Sequence, residues 1–187
     1  KDVFLKLLNQ LIVETNMQII ESTHFIITYG TSWVYQNKES HEIVANCHKL
    51  PQKQFTKEIL SMETIQEAIQ NTIRMIQLVN PAAKFTLTVS PVRHIKNGFV
   101  ENQRSKAHLI SAIHHVLEDS VISNLKSVVY FPSYEIMMDE LRDYRFYAED
   151  MLHPSALAID YIWERFKETN ISTAVFGVMV EVENVQK

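Results

Sequence analysis

Apolar residues in this chain switch repeatedly between two spacings, and that switching is the strongest constraint on its fold. Val3, Phe4, Leu7, Leu8, Leu11 and Ile12 recur every three or four residues, which predicts a first helix. The run "HFIITYG" is short, β-branched and ended by Gly30, and reads as a buried strand. Ser61 can cap a second helix with a stripe of Ile65, Ala68, Ile69, Thr72, Ile73 and Ile76, stopped by Asn80-Pro81. "KFTLTVS" follows as a strand closed by Pro91. Ser105 then opens a third helix carrying Leu109, Ile110, Ile113, Val116 and Leu117. "LKSVVYF" is a further strand ended by Pro132, and "PSYEIMMDELRDY" a helical stretch. Pro154 suits the first turn of a helix reaching Phe166.

Two stretches resist this reading. Residues 31–54 have no helical period, though "HEIVAN" within them suits a short edge strand. In the tail "ISTAVFGVMVEVENVQK" the alternation of Phe176, Val178, Val180 and Val182 favours a strand, with a closing helix as the alternative.

The order helix, strand, helix, strand, helix, strand, helix predicts an α/β fold. The expected form is a three-layer α/β/α arrangement with a mainly parallel sheet and helices on both faces. Only three glycines in 187 residues argue against an all-β chain with many tight turns. That length fits a single domain over residues 1–187. A formal net charge of −4 and no basic run interleaved with aromatics make nucleic acid a poor partner. No apolar run approaches the roughly 18 residues of a membrane span. Cys47 is the sole cysteine, so no intrachain disulfide can form; the compartment stays open, with the cytoplasm preferred to secretion. The chain begins at Lys1 without a signal peptide, which raises the expectation of a missing beginning.

Ligands of an open parallel sheet bind at the carboxyl ends of its strands, which selects "GTSWVYQN", "SPVRH", "FPSYE" and the loop "EDMLHPS". In that loop Asp150 and His153 admit two readings. Asp150 can cap a turn beside an ordinary exposed histidine. Equally, the two can be the acid and base of a hydrolytic triad, since such a base needs one imidazole nitrogen free and the other held by a carboxylate. Arg93 and His94 can meet an anionic or sugar group, or Arg93 can pair with a carboxylate. Asn46, Cys47 and His48 form a polar segment. Cys47 and His48 point to opposite faces of an extended chain, and no second cysteine supports zinc. A polar loop lining the cleft is the better reading, with Asn46 as a donor. His114 and His115 lie within a helix, and Arg142 or Arg145 can brace the Asp150 loop.

Taken together, "FIITYGTSWVY", "VANCHKLP", "TLTVSPVRH", "NQRSKAHL", "YFPSYEIMMDELRDYRFYAEDMLHPS" and "YIWERF" resemble the GSCFA family, a bacterial group related to the SGNH (GDSL-like) hydrolases. The resemblance covers about residues 24–166. It implies a flavodoxin-like SGNH architecture, with Asp150 as orienting acid and His153 as general base. It also implies Gly30 in the block that forms the oxyanion hole. Ser32 and Trp33 depart from the pattern there, standing where an oxyanion Asn and an acid are expected, so Asn46 becomes the substitute donor. The namesake Gly-Ser-Cys-Phe-Ala motif, with its nucleophilic serine, occurs nowhere in the chain. A missing first strand carrying it is therefore expected. The implied function is a serine esterase or acyltransferase acting on an acyl ester of a carbohydrate or lipid. Thr31, Ser32, His48, Arg93 and His94 are its expected substrate contacts, and no cofactor or metal is expected. A non-catalytic glycan-binding module is the alternative, and a metal-dependent hydrolase has only the eight histidines behind it.

Overall fold

The computed structural model describes residues 2–44, 46–47, 49–119 and 127–186. Contacts divide the chain into two compact units, Lys1–Val89 with His94–Tyr130, and Ser90–Arg93 with Phe131–Lys187.

The first unit holds α1 (Asp2–Glu21), β1 (His24–Tyr29), β2 (Trp33–Asn37), β3 (Ile43–Val44), β4 (Phe55–Ile59), α2 (Met62–Val79), β5 (Lys84–Val89), α3 (Phe99–Glu118) and β6 (Val128–Phe131) up to Tyr130. Its main sheet is parallel, with strand order β1-β5-β6. β1 and β5 run in register from His24 opposite Lys84 to Tyr29 opposite Val89. As the central strand, β5 is buried from Phe85 to Val89, which is why its sequence shows no polar alternation. β1 corrects the expectation of a buried strand. It lies at the edge of the sheet, its residues alternate between half-buried and exposed, and Ile26 is 60% exposed.

The stretch without helical period supplies β2 and β3 of a second, antiparallel sheet, which β4 just beyond it completes in the order β3-β2-β4. The short edge strand expected in "HEIVAN" is β3. β4 escaped the sequence reading, and so did β2, which is half-buried at every position and so carries no alternation to read. Lys57 of β4 lies opposite Tyr35, its ammonium 5.5 Å from the Trp33 ring centroid and 5.7 Å from that of Tyr35.

The core of this unit joins Ile65, Ile69 and Ile73 of α2 to β5 and to Leu109, Ala112, Ile113 and Val116 of α3. Ser61 caps α2 as expected, accepting from the Thr64 amide at 3.2 Å. Asn80 ends that helix and also secures α1, donating to the carbonyls of Ile19 and Ser22 at 2.9 and 2.7 Å. Elsewhere α1 keeps Phe4, Leu8, Leu11 and Val13 exposed. α3 starts at Phe99, six residues before the expected Ser105. The turn is made by Gly98 at φ +93°, a conformation that suits glycine, so Ser105 sits inside the helix and buried.

In the second unit, α4 (Ser133–Glu135) runs into a π-helical turn, Ile136–Glu140, and a 3₁₀ turn follows at Tyr144–Phe146. The Leu141 amide donates to Ile136 O, five residues back, at 2.9 Å. The single helical stretch expected here is therefore interrupted. The wider turn places Ile136, Met137 and Leu141 in one core with Phe131 and Ala158. α5 (Ala156–Asn170) is capped by Ser155, whose hydroxyl accepts from Ala158 N. Pro154 consequently precedes the helix and does not enter its first turn; it faces Tyr147 across an isolated β-bridge. The tail favoured as a strand is a helix, α6 (Phe176–Gln186). No strand among the described residues pairs with it, so its backbone groups find their partners locally.

Candidate functional site

Each unit contains one polar cluster drawn from the segments singled out above. In the second unit, Tyr147–His153 form a tight loop closed by Ala148 N donating to His153 O at 2.8 Å and Met151 N to Ala148 O at 3.0 Å. Met151 takes φ +60°, the left-handed region that costs a residue with a Cβ on the order of 1–2 kcal/mol. That twist turns two successive amides toward one carboxylate. Asp150 Oδ1 accepts from Leu152 N at 2.9 Å and His153 N at 3.0 Å, while Oδ2 lies 2.6 Å from His153 Nδ1. Asp150 is thus both a cap and a partner of the imidazole, and the two readings of the motif coexist in one side chain.

The electrostatics follow from those bonds. The backbone N–H of His153, then that of Leu152, then the His153 side chain stabilise the carboxylate and hold Asp150 at about 2. An ionised carboxylate only accepts, so a neutral His153 carries its proton on Nδ1 and leaves Nε2 free. The imidazole is 59% exposed, which keeps that nitrogen accessible. The pair has the orientation a general base needs.

Arg93 belongs to the same unit and is wholly engaged by this loop. Its backbone N–H donates to Leu152 O at 3.2 Å, Nη1 to Met151 O at 3.3 Å and Nη2 to the Tyr147 hydroxyl at 2.6 Å. The guanidinium carbon stands 4.0 Å from the Tyr147 ring centroid. Arg142 and Arg145, offered as braces, instead pair with Asp139 and Asp143, each at 3.0 Å.

In the first unit the turn after β1 is held from α3. The Ser105 hydroxyl accepts from Ser32 N at 2.7 Å and lies 2.9 Å from Thr31 Oγ1 and 3.1 Å from Ser32 Oγ. Lys106 Nζ donates to Gly30 O at 2.7 Å. Ser32, Ser105 and Lys106 are each only 1% exposed. Burial pulls the Lys106 ammonium down to about 8. His94 donates its amide to Asn102 Oδ1 at 2.8 Å, and its ring closes over Gly30: a Cβ there would lie 3.3 Å from His94 Nε2. Burial also raises the neighbouring Tyr29 hydroxyl to about 12.

The structure therefore gathers Gly30, Thr31, Ser32 and His94 in one cluster and Asp150, His153 and Arg93 in another. Ser32, expected to touch substrate, has its hydroxyl turned into the protein against Ser105. Asn46 is exposed just beyond β3, beside the half-buried free thiol of Cys47, and His48 lies outside the described residues. Two residues of these clusters, Lys106 and Tyr147, escaped the sequence reading, and a third, Ser105, was read only as a helix start. Ser105 and Lys106 were detectable. Asn102, Ser105, Lys106, Leu109, Ala112, Ile113 and Val116 are one buried stripe at three- and four-residue spacing, continued from the apolar half of α3 into polar residues. Among the described residues no three His, Cys, Asp or Glu side chains cluster in a way that could hold a metal ion, and no helix is long and apolar enough to cross a membrane.

A parallel three-stranded sheet with helices in alternation defines a mixed α/β protein of the α/β/α layered kind. The chain belongs to the GSCFA family, whose model matches residues 1–166. α6 lies beyond that match. No curated protein matches the chain.

Proposed function

We propose that this protein is an SGNH-like serine esterase or acyltransferase acting on an acyl ester of a carbohydrate or lipid. The observation that carries the reading is the Asp150–His153 pair, 2.6 Å apart, with Nδ1 occupied and an exposed Nε2. In this mechanism His153 takes the proton of a serine hydroxyl as it attacks the ester carbonyl, and Asp150 steadies the imidazolium. Within the first unit, the Gly30 amide and Asn46 are separate candidates for an oxyanion donor, and Thr31 and His94 for substrate contacts. An apolar cavity of about 160 Å³ beside Thr31, lined by Tyr29, Leu60, Ile65, Ile69 and Leu109, suits a short acyl chain. The chain carries no Gly-Ser-Cys sequence, so the reacting serine is identified by labelling.

A fluorophosphonate probe followed by peptide mapping tests the proposal. Labelling of one serine that is lost in His153→Ala supports it. Labelling that persists unchanged in His153→Ala removes His153 from the role of base. The second reading, a glycan-binding module without catalysis, is favoured by Tyr144 and Tyr147. Their rings, 6.0 Å apart, border a pocket of about 240 Å³ that also includes Arg93 and Arg142. Saturable glycan binding without labelling would select it.

A further inference from the structure

The contacts around Met151 and Leu152 form a clamp with two jaws. The peptide group between Met151 and Leu152 gives its N–H to Asp150 Oδ1 and takes Arg93 Nη1 on its carbonyl. The next group, between Leu152 and His153, gives its N–H to the same Asp150 oxygen and takes the Arg93 backbone N–H on its carbonyl. Both ends of two successive peptide planes are thereby fixed, by one acid and one arginine. These planes follow the left-handed Met151, flank Leu152 and set where the His153 ring leaves the chain. Arg93 is itself anchored: Tyr147 accepts from Nη2 and lies under the guanidinium, and the Tyr147 hydroxyl donates in turn to the sulfur of Met138. Among the described residues no carboxylate pairs with Arg93. Its planar fork reaches two separate oxygens from two nitrogens held in fixed geometry, which the rotatable donors on the single nitrogen of a lysine do not reproduce.

We infer that Arg93 is a positioning residue for the acid–base pair, holding Met151 and Leu152 so that Asp150 meets Nδ1 of His153, and is not a contact for an anionic substrate. The inference rests on the reading of His153 as base, but its geometry can be measured without catalysis. In the intact 187-residue chain, ¹⁵N resonances of the His153 ring report which nitrogen carries the proton. Amide hydrogen exchange reports the hold on Leu152 and His153. The expected wild-type signature is a neutral ring protonated on Nδ1 with both amides protected. In Arg93→Ala the preference for Nδ1–H weakens and exchange at both amides rises about tenfold, the equivalent of one lost hydrogen bond. Arg93→Lys does not restore the signature. Tyr147→Phe, which keeps the ring beneath the guanidinium and removes one acceptor, moves it in the same direction by less and serves if Arg93→Ala does not fold.

On 4-nitrophenyl acetate these variants lower kcat with little change in KM. An unchanged His153 signature in Arg93→Ala, or in Tyr147→Phe where Arg93→Ala does not fold, overturns the inference. So does full rescue by Arg93→Lys, which would mark a plain charge requirement. A shifted signature in a protein that never turns over ester would sink the esterase reading and leave the positioning role standing.

Discussion

The Gly30–Ser32 turn and the Asp150–His153 loop are both held by several hydrogen bonds, yet they are built in opposite ways. The first is buried: a serine and a lysine from the inner stripe of α3 reach into it, and the side chains of Ser32, Ser105 and Lys106 are almost wholly hidden. The second is exposed, and its bonds come mainly from its own backbone around a residue in a strained conformation. Both shift a titrating group downward, by different physics. Lys106 is depressed because water is withdrawn from its charge; Asp150 is depressed because three donors stabilise its charge. Burial here specifies a shape, whereas the exposed loop keeps an imidazole nitrogen open to solvent. Stability and chemistry should therefore separate between the two.

His153→Ala is the hardest test of that separation. Ester hydrolysis should fall by about 10²–10⁴-fold, the usual contribution of a general base, while urea unfolding stays within about 0.5 kcal/mol of wild type. A large loss of stability would mean that the loop is structural after all. Lys106 should behave in the opposite way. Between its folded value of about 8 and the unfolded 10.5, the unfolded chain holds a proton that the folded chain has released. Stability attributable to Lys106 therefore rises with pH across that window, by up to about 3 kcal/mol. Chemical denaturation from pH 7 to 10.5 should show a larger rise in wild type than in Lys106→Met, where the remainder comes from Lys57, whose ammonium partial burial and then Lys96 hold below its ordinary value.

Ser105→Ala removes the oxygen that receives Ser32 N and should cost about 1–3 kcal/mol in the same assay, because a buried donor loses its partner. The smallest effect is expected in acid. The Asp150 contribution is complete above its unfolded value of 3.8 and is lost as pH falls through about 2. Asp150→Asn should flatten the fall in stability between pH 4 and 2. A residual slope should remain from Asp143, whose carboxyl the Arg145 guanidinium and amide hold below its usual value. Identical acid slopes in wild type and Asp150→Asn would show that the exposed loop contributes nothing to the folded state.

Legibility from sequence followed the same division. α2, the later half of α3 and β5 were readable because their buried faces repeat with the period of the element. Asp150 and His153 were readable because a tight loop confines both partners to one short segment. Lys106 was hidden by its residue type: its position continues the stripe of Leu109 and Ile113, but lysine ordinarily signals solvent. β2 and β4 failed for want of a clean inner face. α6 failed because Val178, Val180 and Val182 alternate like a strand, and all three are exposed, so no core enforces that period. Arg93 offered no sequence signal for its role, since its partners are the hydroxyl of Tyr147 and carbonyls over 50 residues away.

The π-helical turn at Ile136–Glu140 has a consequence for how this segment can change length. Such a turn holds one residue more than an α-helix would place there. Deleting one of the five would let the backbone relax to α geometry, and because four α residues turn through about the same angle as five π residues, the chain beyond the cut would keep its angular position. Leu141, 4% exposed and packed in the core, would stay on the side of Phe131 and Ala158. Single substitutions at Met138 or Asp139 leave that register intact. Between Phe131 and Tyr147 the chain is therefore permissive in the identity of its outward residues and, at this one turn, in their number as well.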